Sequence, residues 1–239
     1  MARLPTFSVV IPTYMEERTL PNLLKDIKRQ SLQPLEVIVA DNRSKDRTRQ
    51  IARKYGARVI LGGRVSRARN NGARVAKGEV IVFLDADTRL PDEFFKRALT
   101  EMKKRDLGIT TAPNKPDRKP VKYFPVYTFL NMFMRLSPFL LPVMVGLCTI
   151  VKREAWRRVK GFDESIELCE DSDFTERVAR AGYRYRVLRS TLVIASVRRF
   201  EERGYFRTLW KVVYTNTRRW FKGTYRNNPT VYEWGYKGK

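Results

Sequence analysis

Apolar and polar positions alternate in blocks from the start of the chain. Phe7 to Ile11 (FSVVI) is a short β-branched run closed by Pro12, and Leu20, Leu23, Leu24 and Ile27 then recur at i, i+3, i+4 and i+7 within Thr19 to Gln30, the spacing of one helix face. This predicts strand, loop and helix. The unit repeats: Leu35 to Ala40 (LEVIVA) reads as a buried strand, Asp41 to Asp46 is polar, and Thr48 to Tyr55 resumes helical spacing before Gly56. A strand is predicted at Ala57 to Leu61, a helix at Ser66 to Ala76, and a strand at Glu79 to Leu84 (EVIVFL), the most continuous apolar strand in the chain. Alternation of this kind predicts an α/β fold with a parallel, doubly wound sheet, whose ligands bind beyond the carboxyl ends of the strands.

The polar groups that follow the predicted strands are therefore the candidates for chemistry. Pro12, Thr13, Tyr14 and Glu16 follow the first, Asp41 and Asn42 the second, and Asp85-Ala86-Asp87 the run ending at Leu84. Asp85 and Asp87 stand at i, i+2 where a strand gives way to a loop, so either can turn toward a hard cation and the oxygens of a diphosphate. Taken alone the triplet is equally a turn, because Asp is used for helix caps and Asx hydrogen bonds.

Composition narrows the partners. The chain has 239 residues, enough for one sizeable core, and a hydrophobic fraction of 43% excludes wholesale disorder. Its net charge is +24, from 49 Lys and Arg against 25 Asp and Glu. A field of that sign attracts nucleic acid, an anionic lipid surface or phosphorylated small substrates; charge alone does not choose among them. With no histidine and only Cys148 and Cys169, the usual zinc sites, Ser/His and Cys/His nucleophile arrangements and a disulfide framework are removed, which fits a reducing compartment. Met1 to Phe7 lacks the apolar core of a signal peptide, so a cytosolic start is expected.

Four ordered motifs now become specific. They are Pro12-Thr13-Tyr14-Met15-Glu16-Glu17, Asp41-Asn42-Arg43-Ser44-Lys45-Asp46, Ala68-Arg69-Asn70-Asn71-Gly72 and Asp85-Ala86-Asp87. In this order the chain resembles glycosyltransferase family 2, whose members carry P-x-Y-N/E-E, D-D-x-S-x-D, A-R-N-x-G and D-x-D. The second motif departs from the pattern, with Asn42 for the second Asp and Arg43 for Gly. The likeness resumes at Lys152-Arg153, Gly161-Phe162-Asp163-Glu164 and Glu170-Asp171-Ser172-Asp173, the last matching the family's E-D-x-D.

The resemblance implies a GT-A fold, a Rossmann-like, mostly parallel central sheet flanked by helices. It implies transfer of a hexose with inversion from a nucleotide diphosphate sugar, GDP-mannose or a UDP-sugar. Asp87, helped by Asp85, would hold Mg2+ or Mn2+. Asp171 is the implied general base, with a helix N-cap on Asp173 to Ala181 as its alternative role. Pro12, Tyr14, Glu16, Asp41 and Arg69 are expected around the donor, with Glu170 beside the base. Arg198-Arg199 and Asn216-x-x-Arg219-Trp220 are rival clamps for the diphosphate, the latter resembling the Q-x-x-R-W of processive members.

Two further segments point to a membrane. Tyr123 to Met134 carries no charge, and after Arg135 none appears until Lys152; the apolar stretches are short of the roughly 20 residues of a spanning helix and are broken at Pro138 and Pro142. An interface-lying or re-entrant pair is expected at about 121–142, with a buried hairpin or a dimer contact as alternatives. Phe206, Leu209, Trp210, Val213, Trp220 and Phe221 follow helical spacing opposite Arg207, Lys211, Arg218 and Lys222, within a tail holding eleven Lys and Arg against three Glu after Val197, a pattern of helices in a headgroup plane. The expected organisation is a catalytic domain over 1–200 and a basic amphipathic segment over 201–239, bound to an anionic membrane surface on its cytoplasmic side. The expected acceptor is lipid-linked, a polyprenyl phosphate or a lipid-linked glycan; a soluble acceptor is the alternative. Nucleic acid is not expected, since paired acids at strand ends repel a phosphate backbone.

Overall fold

The computed structural model describes residues 3–117, 124–136, 144, 147–197, 210, 214, 225 and 226. The predicted units form in order: β1 Phe7–Thr13, α1 Leu20–Lys28, β2 Glu36–Asp41, α2 Thr48–Lys54, β3 Arg58–Leu61, α3 Val65–Val75 and β4 Val80–Leu84. They are followed by α4 Phe94–Lys104, β5 Ile109–Thr111, β6 Asn114–Pro116, α5 Phe124–Leu136, β7 Cys148–Lys152, α6 Arg153–Arg158, β8 Ile166–Leu168, α7 Glu170–Arg180, β9 Tyr185–Val187, β10 Val193–Ala195 and β11 Tyr225–Arg226.

The central sheet has the order β3-β2-β1-β4-β7-β5-β9. β1 runs parallel to β2 and β4, β2 to β3, and β5 to β9, while β7 is antiparallel to both of its neighbours. The sheet is thus mostly parallel, with one reversed strand. β4 is buried at every position, which is why its sequence is continuous rather than alternating. One face is covered by α1, α2 and α4, whose Leu20, Leu23, Leu24, Ile27, Ala52, Phe94, Phe95 and Leu99 pack with Val9, Ile11 and Val82. Ala73 of α3, Ala155 and Trp156 of α6 and Phe174 and Val178 of α7 cover the other face, against Val10, Ile38 and Phe83. Gly72 lets α3 approach closely: a Cβ there would lie 2.2 Å from Val10 Cγ1.

One expectation changes in detail. The helix predicted from Asp173 begins at Glu170, entered through Cys169 in the left-handed region at φ 63. Asp171 therefore lies inside the first turn and is not the N-cap. Of the 201–239 segment, Tyr225–Arg226 forms β11, which pairs antiparallel with β8.

Of the apolar segment, α5 is described. Val126, Tyr127 and Met134 are buried, whereas Phe129, Met132 and Leu136 are 50%, 53% and 56% exposed. With Phe133, whose ring stacks on Phe129 at 6.3 Å, these residues form an outward apolar stripe at i, i+3, i+4 and i+7. No helix among the described residues is long and apolar enough to cross a membrane. Of the tail helix, Trp210 and Tyr214 are described, both exposed with rings 6.4 Å apart; Arg207, Lys211, Arg218 and Lys222 lie outside the described residues.

Candidate active site

Register brings the motif residues to one edge. Thr13 is opposite Asp41 across the β1/β2 pair, and Val10 is opposite Phe83 across β1/β4, so the loops carrying Tyr14, Asp41 and Asp85 leave the sheet side by side. An open cavity of about 910 Å³ lies elsewhere, lined by Arg3, Glu79, Lys103, Asp106, Lys152 and Arg157 among others. It sits at the amino-terminal edge of β1 and β4, opposite the strand ends where a parallel sheet binds its ligands, and contains none of the motif acids.

The loops after β1 and β2 are knitted together by the second motif. The buried Asp41 carboxylate accepts from Thr13 Oγ1 at 3.0 Å and from Ser44 N and Oγ at 2.9 and 2.6 Å. Ser44 Oγ in turn accepts from Met15 N at 2.9 Å, and Thr48 Oγ1, itself a donor to Asp46, accepts from Glu16 N at 2.9 Å. Asp41 thus shapes the floor on which Pro12, Tyr14 and Glu16, all half-buried, sit; the Glu16 carboxylate also accepts from Thr19 Oγ1 at 2.5 Å. Arg43 occupies φ 57, the left-handed region in which glycine is favoured, so its departure from the motif carries a backbone cost.

Arg69 is the least expected residue of the site. A helix arginine reads as solvated, yet its side chain is only 2% exposed. One terminal nitrogen donates to Asp85 Oδ1 at 3.1 Å, the other to Glu170 Oε1 at 2.7 Å, and its guanidinium stands 5.3 Å from the Phe162 ring centroid. Burial alone would lower its pKa, but Glu170, Asp85 and Asp171 together raise it above the usual arginine value. The Asp85 carboxylate, half-exposed, thus has one oxygen turned to Arg69.

Asp171 lies next to this pair of acids. It is 7% exposed, and its Oδ1 accepts from Ser172 N at 2.9 Å. Its pKa is pushed up to about 7, first by burial and then by the charges of Glu170 and Asp85, against the opposing pull of Arg69. A carboxylate poised there is suited to take a proton near neutral pH.

Asp85 and Asp87 remain half-buried where the turn closes with Thr88 N donating to Asp85 O at 3.0 Å. Their carboxylates at i, i+2 are hard oxygen donors of the kind a divalent cation takes together with phosphate oxygens and water; among the described residues they are not joined by a third such side chain into a ready-made cation cluster. The turn is braced from behind by a residue that no motif marks. Asp26 of α1, fully buried, accepts from Arg89 Nε and Nη2 at 2.5 and 2.9 Å and from Leu90 N at 3.1 Å. Arg198, Arg199, Arg219 and Trp220 lie outside the described residues.

The model of the family described as glycosyl transferase family 2 matches residues 8–159, which is most of the sheet and all of the motifs up to the D-x-D turn. The chain belongs to glycosyl transferase family 2. It is 28% identical over 212 residues to the uncharacterized glycosyltransferase EpsJ of Bacillus subtilis (strain 168), covering 80% of this chain and 61% of EpsJ. Over 115 residues it is 32% identical to the GalNAc(5)-diNAcBac-PP-undecaprenol beta-1,3-glucosyltransferase of Campylobacter jejuni, covering 44% and 36% of the two chains. Among solved structures, the mannosyltransferase PcManGT from Pyrobaculum calidifontis, in complex with GDP-Man and Mn2+, superposes with a TM-score of 0.68 at 24% identity, over 89% of this chain and 61% of that one. The fold is accordingly that of GT-A glycosyltransferases. The chain spans about six-tenths of the length of EpsJ.

Proposed function

We propose that this chain is an inverting hexosyltransferase, taking a sugar from GDP-mannose or a UDP-sugar and passing it to a lipid-linked acceptor at the cytoplasmic face of a membrane. The observation that carries the reading is the convergence, around Arg69, of Asp85 from one strand end with Glu170 and Asp171 from the first turn of α7. Inversion needs a base on one side of the sugar and a stabilised leaving group on the other, and the two sets of acids occupy those roles. Mg2+ or Mn2+ on Asp85 and Asp87 would supply Lewis-acid stabilisation of the departing diphosphate. The platform of Pro12, Tyr14, Glu16 and Asp41 orients the nucleoside, and Asp171 accepts the proton of the incoming hydroxyl at its carboxylate. Arg69 keeps the clustered acids compatible with burial.

The base refines the acceptor. A polyprenyl phosphate is already ionised near pH 7 and needs no proton removed, whereas a sugar hydroxyl does. With Asp171 as the base, the reading favours a hydroxyl acceptor, a lipid-linked glycan over a bare lipid phosphate. The Campylobacter relative is named for an undecaprenol-linked glycan, PcManGT for GDP-Man and Mn2+, and the outward stripe of α5 gives the lipid a place to lie.

A panel of nucleotide sugars, screened by thermal shift with and without Mn2+, tests the reading. A donor that binds only the native state raises stability with the logarithm of its occupancy. At least one GDP- or UDP-sugar is expected to stabilise the protein, more so with Mn2+. If none does at any concentration, the transferase reading is wrong.

A further inference from the structure

The chemistry above makes no use of the asparagine of the A-R-N-x-G motif. Asn70, next to Arg69 on α3, is 2% exposed. Its Nδ2 donates to Phe162 O at 2.8 Å, and its Oδ1 accepts from Phe162 N at 2.9 Å. Phe162 N–H can only donate and its carbonyl can only accept, so the orientation of the carboxamide is fixed by its partners. The side chain pairs with Phe162 as a neighbouring strand would. The second proton on Nδ2 reaches Glu164 Oε1 at 3.0 Å, which leaves the amide nitrogen fully used.

The loop is built around this contact. Gly161 has φ 75, and a Cβ added to it would fall 2.4 Å from Asn70 Oδ1 and 2.9 Å from Trp156 Nε1. Only a glycine there admits the carboxamide. Held in this way, the Phe162 ring stacks on Phe174 at 4.2 Å and 24°, and meets Phe83 of β4 edge-on at 5.2 Å. Phe174 lies on α7 three positions after Asp171, on the next turn. α3 thus reaches α7 twice, through charge from Arg69 to Glu170 and through shape from Asn70 by way of Phe162 and Phe174.

We propose that Asn70 is a positioning residue for Asp171: by clamping the Gly161–Glu164 loop it sets where the first turn of α7 stands relative to Asp85 and Asp87. The assignment rests on the reading of this site as a transferase centre with Asp171 as its base. A base displaced by about 1 Å loses on the order of a hundredfold in rate while the donor's own contacts stay in place. The glycine and the asparagine act as one device, so damage to either should do the same thing.

The test compares Asn70→Ala, Gly161→Ala, the double variant and Ala98→Gly. Ala98 is buried on the far face of the sheet, so the last is a control that loosens the fold away from the site. Affinity for GDP-mannose and UDP-N-acetylglucosamine, each with Mn2+, is read by calorimetry, transfer by turnover, and the α7 first turn by hydrogen exchange. In Asn70→Ala the donor Kd is expected to hold within about threefold while kcat falls roughly 10- to 100-fold, with faster exchange across residues 162–175. Gly161→Ala should match it, the double variant should lose little more than either single one, and Ala98→Gly should keep kcat. If Asn70→Ala does not fold, Gly161→Ala is read by the same criteria. Unchanged kcat, or equal losses of kcat and donor affinity, overturns the proposal. If the wild type binds neither donor, the transferase reading fails by itself, and unaltered exchange over 162–175 in Asn70→Ala would still refute the clamp.

Discussion

Arg69 and Glu170, separated by 101 positions of sequence, are joined at 2.7 Å beneath the candidate site. The pair fastens α3 to the first turn of α7. The same guanidinium holds Asp85 at 3.1 Å, so one buried cation is shared by acids of a strand-end loop and a helix. Removing it leaves buried carboxylates uncompensated, at a cost of about 3–5 kcal/mol. Arg69→Met is therefore expected to lower the urea midpoint sharply at pH 7.5, and to regain part of the loss at pH 5 as Asp171 takes up a proton. Equal destabilisation at both pH values would contradict this account of the cluster.

Asp171 sets the pH dependence. As the base it must be ionised, so transfer is expected to rise with pH through about 7 and level off above it. Asp171→Asn should cut turnover by at least about a hundredfold with donor affinity nearly intact.

Stability should move in the opposite direction. The folded-state pKa lies above the ordinary value of 3.8, at about 7, so the folded protein binds more protons between those limits. The stabilisation from a protonated Asp171 is full below about pH 4 and is lost as pH rises through 7. Asp171→Asn, which mimics the protonated form, is thus expected to melt higher than wild type at pH 8 and equally at pH 4. A variant that melts lower at pH 8 would show that the ionised carboxylate supports the fold.

Asp87→Ala removes the carboxylate best placed to hold the cation that bridges the diphosphate. Calorimetric titration of the donor should lose its dependence on Mn2+. Persistence of metal-dependent affinity in the folded variant would take Asp87 out of the site.

The stripe on α5 predicts behaviour at a bilayer. Basic side chains near an anionic surface contribute roughly 1 kcal/mol each and are screened by salt, whereas inserted apolar groups are not. Wild type should co-sediment with anionic liposomes and resist a high-salt wash. Serine at Phe129, Met132, Phe133 and Leu136 together should make it salt-extractable. A wild type that stays in the supernatant with every lipid composition, while acting on a water-soluble acceptor, would replace the membrane reading with the soluble one.

The first half of the sheet was legible in the chain because its signals are local. Strands such as VIVFL are apolar throughout, and β1, β2 and β4 each give way to the polar residues of a motif, so pattern and position agree over Phe7 to Asp87. What pattern misses is pairing across distance. Nothing in the helical spacing of Arg69 foretells burial, because its neutralising acids come from other elements, Asp85 16 residues on and Glu170 101 residues on. The run Glu170-Asp171-Ser172-Asp173 reads as a cap followed by a helix; the left-handed Cys169 starts the helix earlier, and that depends on tertiary packing. Asp26, an acid beside an apolar stripe, has a nearby partner in Arg29 but gains its role behind the turn from Arg89 and Leu90, 63 and 64 positions on.

The reversed strand β7 has a consequence for how such proteins diversify. Leu84 ends β4 opposite Cys148, the first residue of β7, and β5, antiparallel to β7, ends at Thr111 on that same edge. Ala112 and Leu147, the residues at the two ends of the intervening chain, therefore both stand beside the carboxyl end of β4. On the proposed reading, a lineage that exchanged the chain between those two points would meet a new acceptor while the residues assigned to the nucleotide stayed in place, much as a tool keeps its handle when the bit is changed.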